Sequence, residues 1–146
     1  MSKLVRDAMT SQPVTVQRSA SVKSAAELME QQDVGSLPVV DEGGSLVGMV
    51  TDRDIAIRSV AAGRDAEATQ VKDILTSALV QVMPDDSLDM ALELMAKYQV
   101  RRLPVTYDTQ LVGVLAQADI AHEAKDKKAG QVLEAISQPA QEHEHN

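Results

Sequence analysis

The sequence predicts an α/β fold in which one small β-α-β-β-α unit occurs twice in tandem. The first observation behind this prediction is self-similarity, because many residues recur in the same order after a shift of about 66 positions. Val5-Arg6-Asp7 matches Val71-Lys72-Asp73, and Leu37-Pro38-Val39 matches Leu103-Pro104-Val105. The second observation is the spacing of apolar residues, which alternates in some segments and has helical periodicity in others. One unit alone has a small core, so we expect the two copies to pack with pseudo-two-fold symmetry.

The first copy contains segments for three strands and two helices. Alternation over residues 14–16 predicts a short strand. A helix follows, and its predicted apolar face carries Val22, Ala25, Ala26 and Met29. The apolar segments 37–40 and 46–50 flank the Gly-containing loop 41–45, which predicts a β-hairpin. A second helix is expected from about residue 52 to residue 62, with Gly63 after its end.

The second copy repeats this pattern. Its first helix has an apolar face that consists of Leu88, Ala91, Leu92 and Met95. Asp85 and Asp86 precede this helix and are candidates for its N-cap. In both copies a proline, Pro38 or Pro104, is expected at the start of a strand, where no ladder N–H is needed.

The repeat also predicts the domain boundaries. Residues 1–63 form the first domain, residues 64–70 a linker, and residues 71–124 the second domain. Residues 125–146 are expected to contain a charged connector, a short helix near residues 131–137 and a frayed polar tail.

Composition excludes several classes of protein. Hydrophobic residues make up 44% of the 146 positions, which is typical of a folded domain. The absence of cysteine excludes disulfides and thiolate metal sites, and we expect no metal site elsewhere. A net charge of −8 disfavours binding to nucleic acid. The sequence shows neither a signal peptide nor a membrane span, so a cytoplasmic protein is expected.

The segment Gly48–Ile55, GMVTDRDI, carries a resemblance to a known family. A Leu-Pro-Val strand precedes the corresponding segment in each copy, and Met9-Thr10 and Met83-Pro84-Asp85 precede the first helices. This ordered set closely resembles the CBS domain, so the chain resembles a tandem CBS-domain pair over about residues 3–122. The likeness is greatest to small stand-alone bacterial proteins of this kind.

The resemblance implies a regulatory ligand that contains adenosine, such as AMP, ADP, ATP or S-adenosylmethionine, in a cleft between the repeats. It places the ribose hydroxyls on Asp54 or Asp119, with Thr51 near the ribose or phosphate. A carboxylate can accept both hydrogen bonds of a cis-diol. The resemblance also implies further contacts, to the adenine from the strands of Val16, Pro38 and Pro104, and to the phosphates from Arg101 and Arg102.

Structural interpretations of these residues remain open. Thr51 and Asp54 also have the spacing of a helix-capping box. Ala116 stands where the first copy has Thr51, so Asp119 is the weaker candidate. The arginine pair could form surface ion pairs instead of phosphate contacts. Arg53 could reach a phosphate or point to solvent, and Ser36 could bind the ligand through its hydroxyl or belong to a tight loop.

Three functions compete at this stage. A ligand sensor would form a homodimer and act on an unknown effector protein in trans, because no output domain accompanies the repeats. A scaffold without ligand would act through dimerisation or through such a partner. An enzyme is disfavoured, because no P-loop, cysteine nucleophile or convincing catalytic histidine is present.

Overall fold

The computed structural model describes residues 3–77 and 80–123. These residues form two compact units. The first-repeat unit comprises residues 14–77, and the second-repeat unit comprises residues 3–13 together with residues 80–123. The predicted connector, short helix and tail of residues 125–146 lie outside the described residues.

The second-repeat unit begins with the N-terminal segment, which contains a short helix, α1 (Val5–Ala8), and a short strand, β1 (Thr10–Ser11). The unit continues after residue 80 with helix α4, strands β5 and β6, and helix α5, which span Leu88–Tyr98, Arg102–Tyr107, Gln110–Ala116 and Gln117–Glu123. Strand β6 lies between β1 and β5 and pairs antiparallel with both.

The first-repeat unit contains strand β2, helix α2 and the hairpin strands β3 and β4, which span Val16–Gln17, Val22–Gln32, Ser36–Val40 and Leu46–Thr51. Strand β3 is central, parallel to β2 and antiparallel to β4. Helix α3 (Asp52–Asp54) follows β4 directly and continues as a π-helix over Ile55–Val60. A 3₁₀ turn, Val71–Asp73, lies in the segment after it.

Each unit has an aliphatic core between its sheet and its long helix. In the second-repeat unit this core includes all four predicted residues of α4, so that prediction is confirmed. In the first-repeat unit, Val22, Ala25 and Met29 are buried as predicted, but Ala26 is exposed. The prediction for Ala26 was wrong because α2 presents a narrower face to its core than α4 does.

The segment that precedes each repeat packs on the other repeat's unit. Val5 is fully buried in the core of the second-repeat unit, and Val71 is fully buried in the core of the first-repeat unit. The expected linker, residues 64–70, also packs within the first-repeat unit. The Lys23 N–H donates to the Ala66 carbonyl at 3.0 Å, and the Val22 N–H donates to the Thr69 carbonyl at 2.9 Å. The compact units therefore do not follow the sequence boundaries of the repeats.

Several local expectations require correction. Strand β2 starts at Val16, and Val14 is exposed. Helix α4 is capped by Ser87, whose hydroxyl accepts the Met90 N–H at 3.1 Å, whereas Asp86 accepts the Met83 N–H. An earlier cap is not available, because the chain is still in a turn at residues 84–86.

The prolines lie inside their strands rather than at the starts. Pro38 and Pro104 are each the third residue of β3 and β5. The Pro104 carbonyl accepts the Val82 N–H at 3.1 Å, and the next bond to this neighbour comes from the Thr106 N–H. A proline is tolerated there because the hydrogen bonds to this neighbouring segment begin at the Pro104 carbonyl, so the N–H that proline lacks is not needed.

No helix among the described residues is long and apolar enough to cross a membrane.

Candidate functional site

Asp54 lies at the junction of β4 and α3, where it forms a reciprocal capping box with Thr51. The Thr51 hydroxyl accepts the Asp54 N–H at 3.0 Å, and an Asp54 carboxylate oxygen, Oδ2, accepts the Thr51 N–H at 3.0 Å. These bonds satisfy backbone donors that the first turn of a helix leaves without partners. The interpretation of Thr51 and Asp54 as a helix-capping box is therefore confirmed. The Asp54 residue is only 8% exposed.

Thr76 is a third member of this cluster that the sequence analysis did not identify. Its hydroxyl lies 3.4 Å from Asp54 Oδ1 and 3.5 Å from Oδ2, so it is a weak donor to both carboxylate oxygens. Thr76 reaches this position because its backbone exchanges two hydrogen bonds with Met49 on the outer edge of β4. In the sequence, Thr76 lies 66 positions after Thr10 and therefore aligns with it in the repeat. This recurrence was the available signal, but it did not indicate a contact with Asp54.

The other predicted residues of the first-repeat unit lie around the same sheet. Ser36 begins β3, is buried, and pairs with Thr51 across the hairpin. Val16 is buried in β2 and pairs with Val39, next to Pro38. Ser36, Thr51 and Asp54 are thus brought together at one end of the hairpin. Arg53 is exposed and makes no hydrogen bond or ion pair with any residue that the structure describes.

The second-repeat unit has the same backbone arrangement with different side chains. Arg102 pairs with Ala116 as Ser36 pairs with Thr51. The Gln117 N–H donates to the Arg101 carbonyl at 2.8 Å, just as the Asp52 N–H donates to the Gly35 carbonyl. This register confirms that Asp119, two residues after Gln117, is the equivalent of Asp54.

The side-chain environment of Asp119 differs from that of Asp54. Ala116 offers no hydroxyl, and Asp119 is half-buried. Within residues 3–77 and 80–123, its carboxylate makes no hydrogen bond or ion pair. The same holds for the guanidinium of Arg102, a residue that is half-buried as a whole. Arg101 is also half-buried, and Pro104 is buried.

The glycine of the family-like segment has a packing role in both units. A Cβ on Gly48 would lie 2.5 Å from the Thr76 carbonyl oxygen, and a Cβ on Gly113 would lie 2.9 Å from that of Thr10. Both distances are too short for real contacts, so only glycine allows the neighbouring segment to approach the strand. Gly48 therefore places Thr76 beside Asp54.

The described residues provide no cluster of three or more His, Asp or Glu side chains suited to holding a metal ion. The histidines that alternate with glutamates near the C-terminus, His143 and His145, lie outside the described residues.

Comparison with known proteins gives the same result for both halves of the chain. A model of the CBS domain family matches residues 5–60 and again residues 71–126. The CBS domain-containing protein YhcV of Bacillus subtilis is 44% identical over 134 residues, which cover 91% of this chain and 94% of the relative. Hypoxic response protein 1 of Mycobacterium tuberculosis is 34% identical over 134 residues, with 92% and 94% coverage.

Solved structures of CBS-domain proteins have the same fold. The crystal structure of Hypoxic Response Protein I with two coordinated zinc ions has a TM-score of 0.78 and 34% identity, and covers 84% of this chain and 99% of that one. The CBS domain pair of protein MJ0100, in complex with 5′-methylthioadenosine and S-adenosyl-L-methionine, has a TM-score of 0.73 at 29% identity, with 84% and 96% coverage. CBSX2 in complex with AMP has a TM-score of 0.72 at 29% identity, with 82% and 94% coverage.

Proposed function

This chain belongs to the CBS-domain family, and we propose that it is a regulatory module that binds an adenosine-containing ligand. CBS-domain pairs are regulatory modules, and two structural neighbours were solved with AMP or with S-adenosyl-L-methionine and 5′-methylthioadenosine. The observation that carries the proposal is the repeated acid. Asp54 and Asp119 follow equivalent strand ends, each beside the residue that opens the neighbouring strand.

The proposed contacts follow from the chemistry of an adenosine ligand. A carboxylate at Asp54 or Asp119 can accept one hydrogen bond from each of the two ribose hydroxyls. The guanidinium groups of Arg101 and Arg102 suit phosphate oxygens, to which an arginine can donate two parallel hydrogen bonds. The remaining proposed contacts are the backbone of Val16, Pro38 and Pro104 with the adenine, and Ser36, Thr51 and Arg53 with polar groups of the ligand.

Isothermal titration calorimetry with AMP, ADP, ATP and S-adenosylmethionine tests this function. We expect at least one of them to bind with a dissociation constant below about 1 mM, which corresponds to roughly −4 kcal/mol. Heats no larger than those of buffer dilution for all four at millimolar ligand would contradict the proposal.

A scaffold without ligand is the second candidate, and one observation favours it. Thr51 and Asp54 already satisfy each other in the capping box, which is a structural use of both side chains. Under this alternative the chain would still dimerise or bind an effector protein in trans, but would bind none of the four compounds. The titration therefore separates the two functions.

We propose that a homodimer forms through the exposed side of α4. Met90, Leu94 and Tyr98 lie one helical turn apart, and Met90 and Tyr98 are 36% and 48% exposed. The equivalent positions of α2 are Ser24, Leu28 and Gln32. An apolar stripe on a helix surface favours burial against a partner.

Light scattering coupled to size-exclusion chromatography tests the dimer. The Tyr98→Glu substitution places a charge on the stripe and should convert a dimer into a monomer. The Gln32→Glu substitution at the equivalent position of α2 is the matched control and should leave the mass unchanged. A monomeric wild-type protein, or a dimer that survives Tyr98→Glu, would contradict this proposal.

A further inference from the structure

We infer that residues 131–137, the docking segment, bind to an apolar stripe on α4 of the same chain and thereby oppose dimerisation. The α4 stripe consists of Met90, Leu94 and Tyr98, the residues through which a homodimer is proposed to form. The effect on dimerisation rests on that proposal, whereas the docking itself does not need a dimer. The contact is separate from the proposed ligand site.

The α4 stripe is accessible in the second-repeat unit. Met90 and Tyr98 are exposed, and Leu94 is half-buried. The equivalent side of α2 has polar residues at two of its three positions. Burial of apolar surface is favourable, so a covering segment gains more free energy on α4 than it would on α2.

Helix α5 ends close to the start of this stripe. Lys3 Nζ lies 3.7 Å from the carboxylate of Glu123, the last residue of α5. The Lys3 carbonyl accepts the N–H of Leu88, the first residue of α4, at 3.0 Å. The chain therefore leaves α5 within the length of one lysine side chain of the first turn of α4, which contains Met90.

The sequence after α5 contains a segment that matches the stripe. A short amphipathic helix is predicted over residues 131–137, and its apolar side carries Val132, Leu133 and Ile136. The intervening residues, 124–130, can span at most roughly 25 Å when extended. The middle of the stripe lies only about 9 Å along α4 from its first residue, so the docking segment can reach it.

Charge favours the same placement. The residues before the docking segment include Lys125, Lys127 and Lys128 but a single acid, Asp126. Residues 84–96, by contrast, contain no lysine or arginine. Three acids lie exposed or half-buried in or just before the first two turns of α4, namely Asp86, Asp89 and Glu93. Attraction between these groups is modest at a surface, but it directs the basic residues toward the start of α4.

Docking of this segment would regulate the proposed homodimer. The α4 stripe cannot hold the docking segment and a second copy of the chain at the same time. Each chain must therefore release its docking segment before it can pair. If the stripe is covered about nine-tenths of the time, the apparent affinity falls about tenfold for each chain.

An engineered disulfide tests the docking in the full chain, which contains no cysteine of its own. The double variant Leu94→Cys/Ile136→Cys, oxidised with diamide at low micromolar concentration, should form a disulfide within one chain. Mass spectrometry of unreduced peptides from the monomer identifies it. The matched control is Leu28→Cys/Ile136→Cys, which uses the equivalent position of α2. Its disulfide should form at least about tenfold more slowly, because docking raises the effective concentration only at α4.

Sedimentation velocity tests the competition without any substitution in α4. Ile136→Glu places a charge on the apolar side of the docking segment and should lower the dissociation constant of the dimer at least about tenfold. Gln131→Glu adds the same charge to the opposite side of the predicted helix. This control should leave the dissociation constant within about twofold of the wild-type value.

The outcomes separate the docking from the proposed homodimer. Equal rates of disulfide formation at Leu94 and Leu28 would overturn the inference. A disulfide between chains would also overturn it, because the segment would then lie on a second copy. An unchanged or weaker dimer in Ile136→Glu would overturn the competition. If the wild type and Ile136→Glu are both monomers, the homodimer is contradicted, while a disulfide within one chain at Leu94 still supports the docking.

Discussion

Asp54 and Asp119 correspond in the repeat, yet their surroundings differ. Asp54 is enclosed by Thr51 and Thr76, whereas in the second-repeat unit Ala116 stands in the position of Thr51 and Asp119 has no hydrogen-bonding partner among the described residues. The backbone register is the same in both units, so the difference comes from side chains alone. The comparison shows that a duplicated sequence motif can keep an acidic residue while the hydrogen bonds and the burial of that residue change.

The long helices of the two units show a similar divergence. Helices α2 and α4 have the same length and the same type of serine N-cap. Leu92 of α4 is fully buried, but its equivalent in α2, Ala26, is exposed. The second-repeat unit therefore depends more strongly on its helix for core packing.

Among the substitutions that test the difference between α2 and α4, Leu92→Ala is expected to have the largest effect on stability. The substitution should lower the free energy of unfolding by about 3 kcal/mol, because it leaves a cavity in a fully packed core. Urea denaturation followed by circular dichroism measures it. The control Ala26→Leu should change stability by less than about 0.5 kcal/mol, because its side chain is exposed. Similar losses from both substitutions would show that the two helices pack alike.

A smaller difference is expected between Gly48→Ala and Gly113→Ala. We expect a loss of about 2 kcal/mol for Gly48→Ala and about 1 kcal/mol for Gly113→Ala in the same urea experiment. The added Cβ at residue 48 would lie 2.5 Å from a rigid carbonyl oxygen, that of Thr76. At residue 113 the shortest contact, 2.7 Å, is with the flexible Met9 side chain, and the carbonyl lies at 2.9 Å. A larger loss for Gly113→Ala would refute this explanation.

The capping difference can be tested in both directions. Thr51→Ala removes the hydroxyl that accepts the Asp54 N–H and should cost about 1 kcal/mol of stability. Ala116→Thr introduces the missing hydroxyl before α5 and should raise stability by about 0.5 kcal/mol. Both shifts appear as changes in the urea midpoint. If Ala116→Thr does not raise stability, a threonine at the end of β6 does not cap the following helix as Thr51 does at the end of β4.

The smallest effect is expected for Thr76→Val. Its hydroxyl lies at the outer limit of hydrogen bonding to Asp54, so its loss should lower stability by at most about 0.5 kcal/mol. Thr10→Val is the matched control and should have no effect, since the Thr10 hydroxyl has no partner among the described residues. A loss above about 1 kcal/mol for Thr76→Val would make Thr76 a main support of Asp54.

Much of the fold could be predicted from the sequence by itself. Local spacing reveals features that depend on residues close together in the chain. These are the hairpins, the apolar face of α4, and the capping box of Thr51 and Asp54. The repeat is visible because whole segments recur in the same order. The candidate acids were named from the resemblance of both repeats to the CBS domain, and not from spacing alone.

Only the tertiary structure decided which segment completes which unit. Thr76 contacts Asp54 across 22 positions of sequence, and Val5 packs in the core of the second-repeat unit. Such contacts depend on how the chain folds back on itself, which periodicity does not encode. The contact with Thr76, a residue distant in sequence, is therefore one feature that distinguishes the buried Asp54 from the half-buried Asp119.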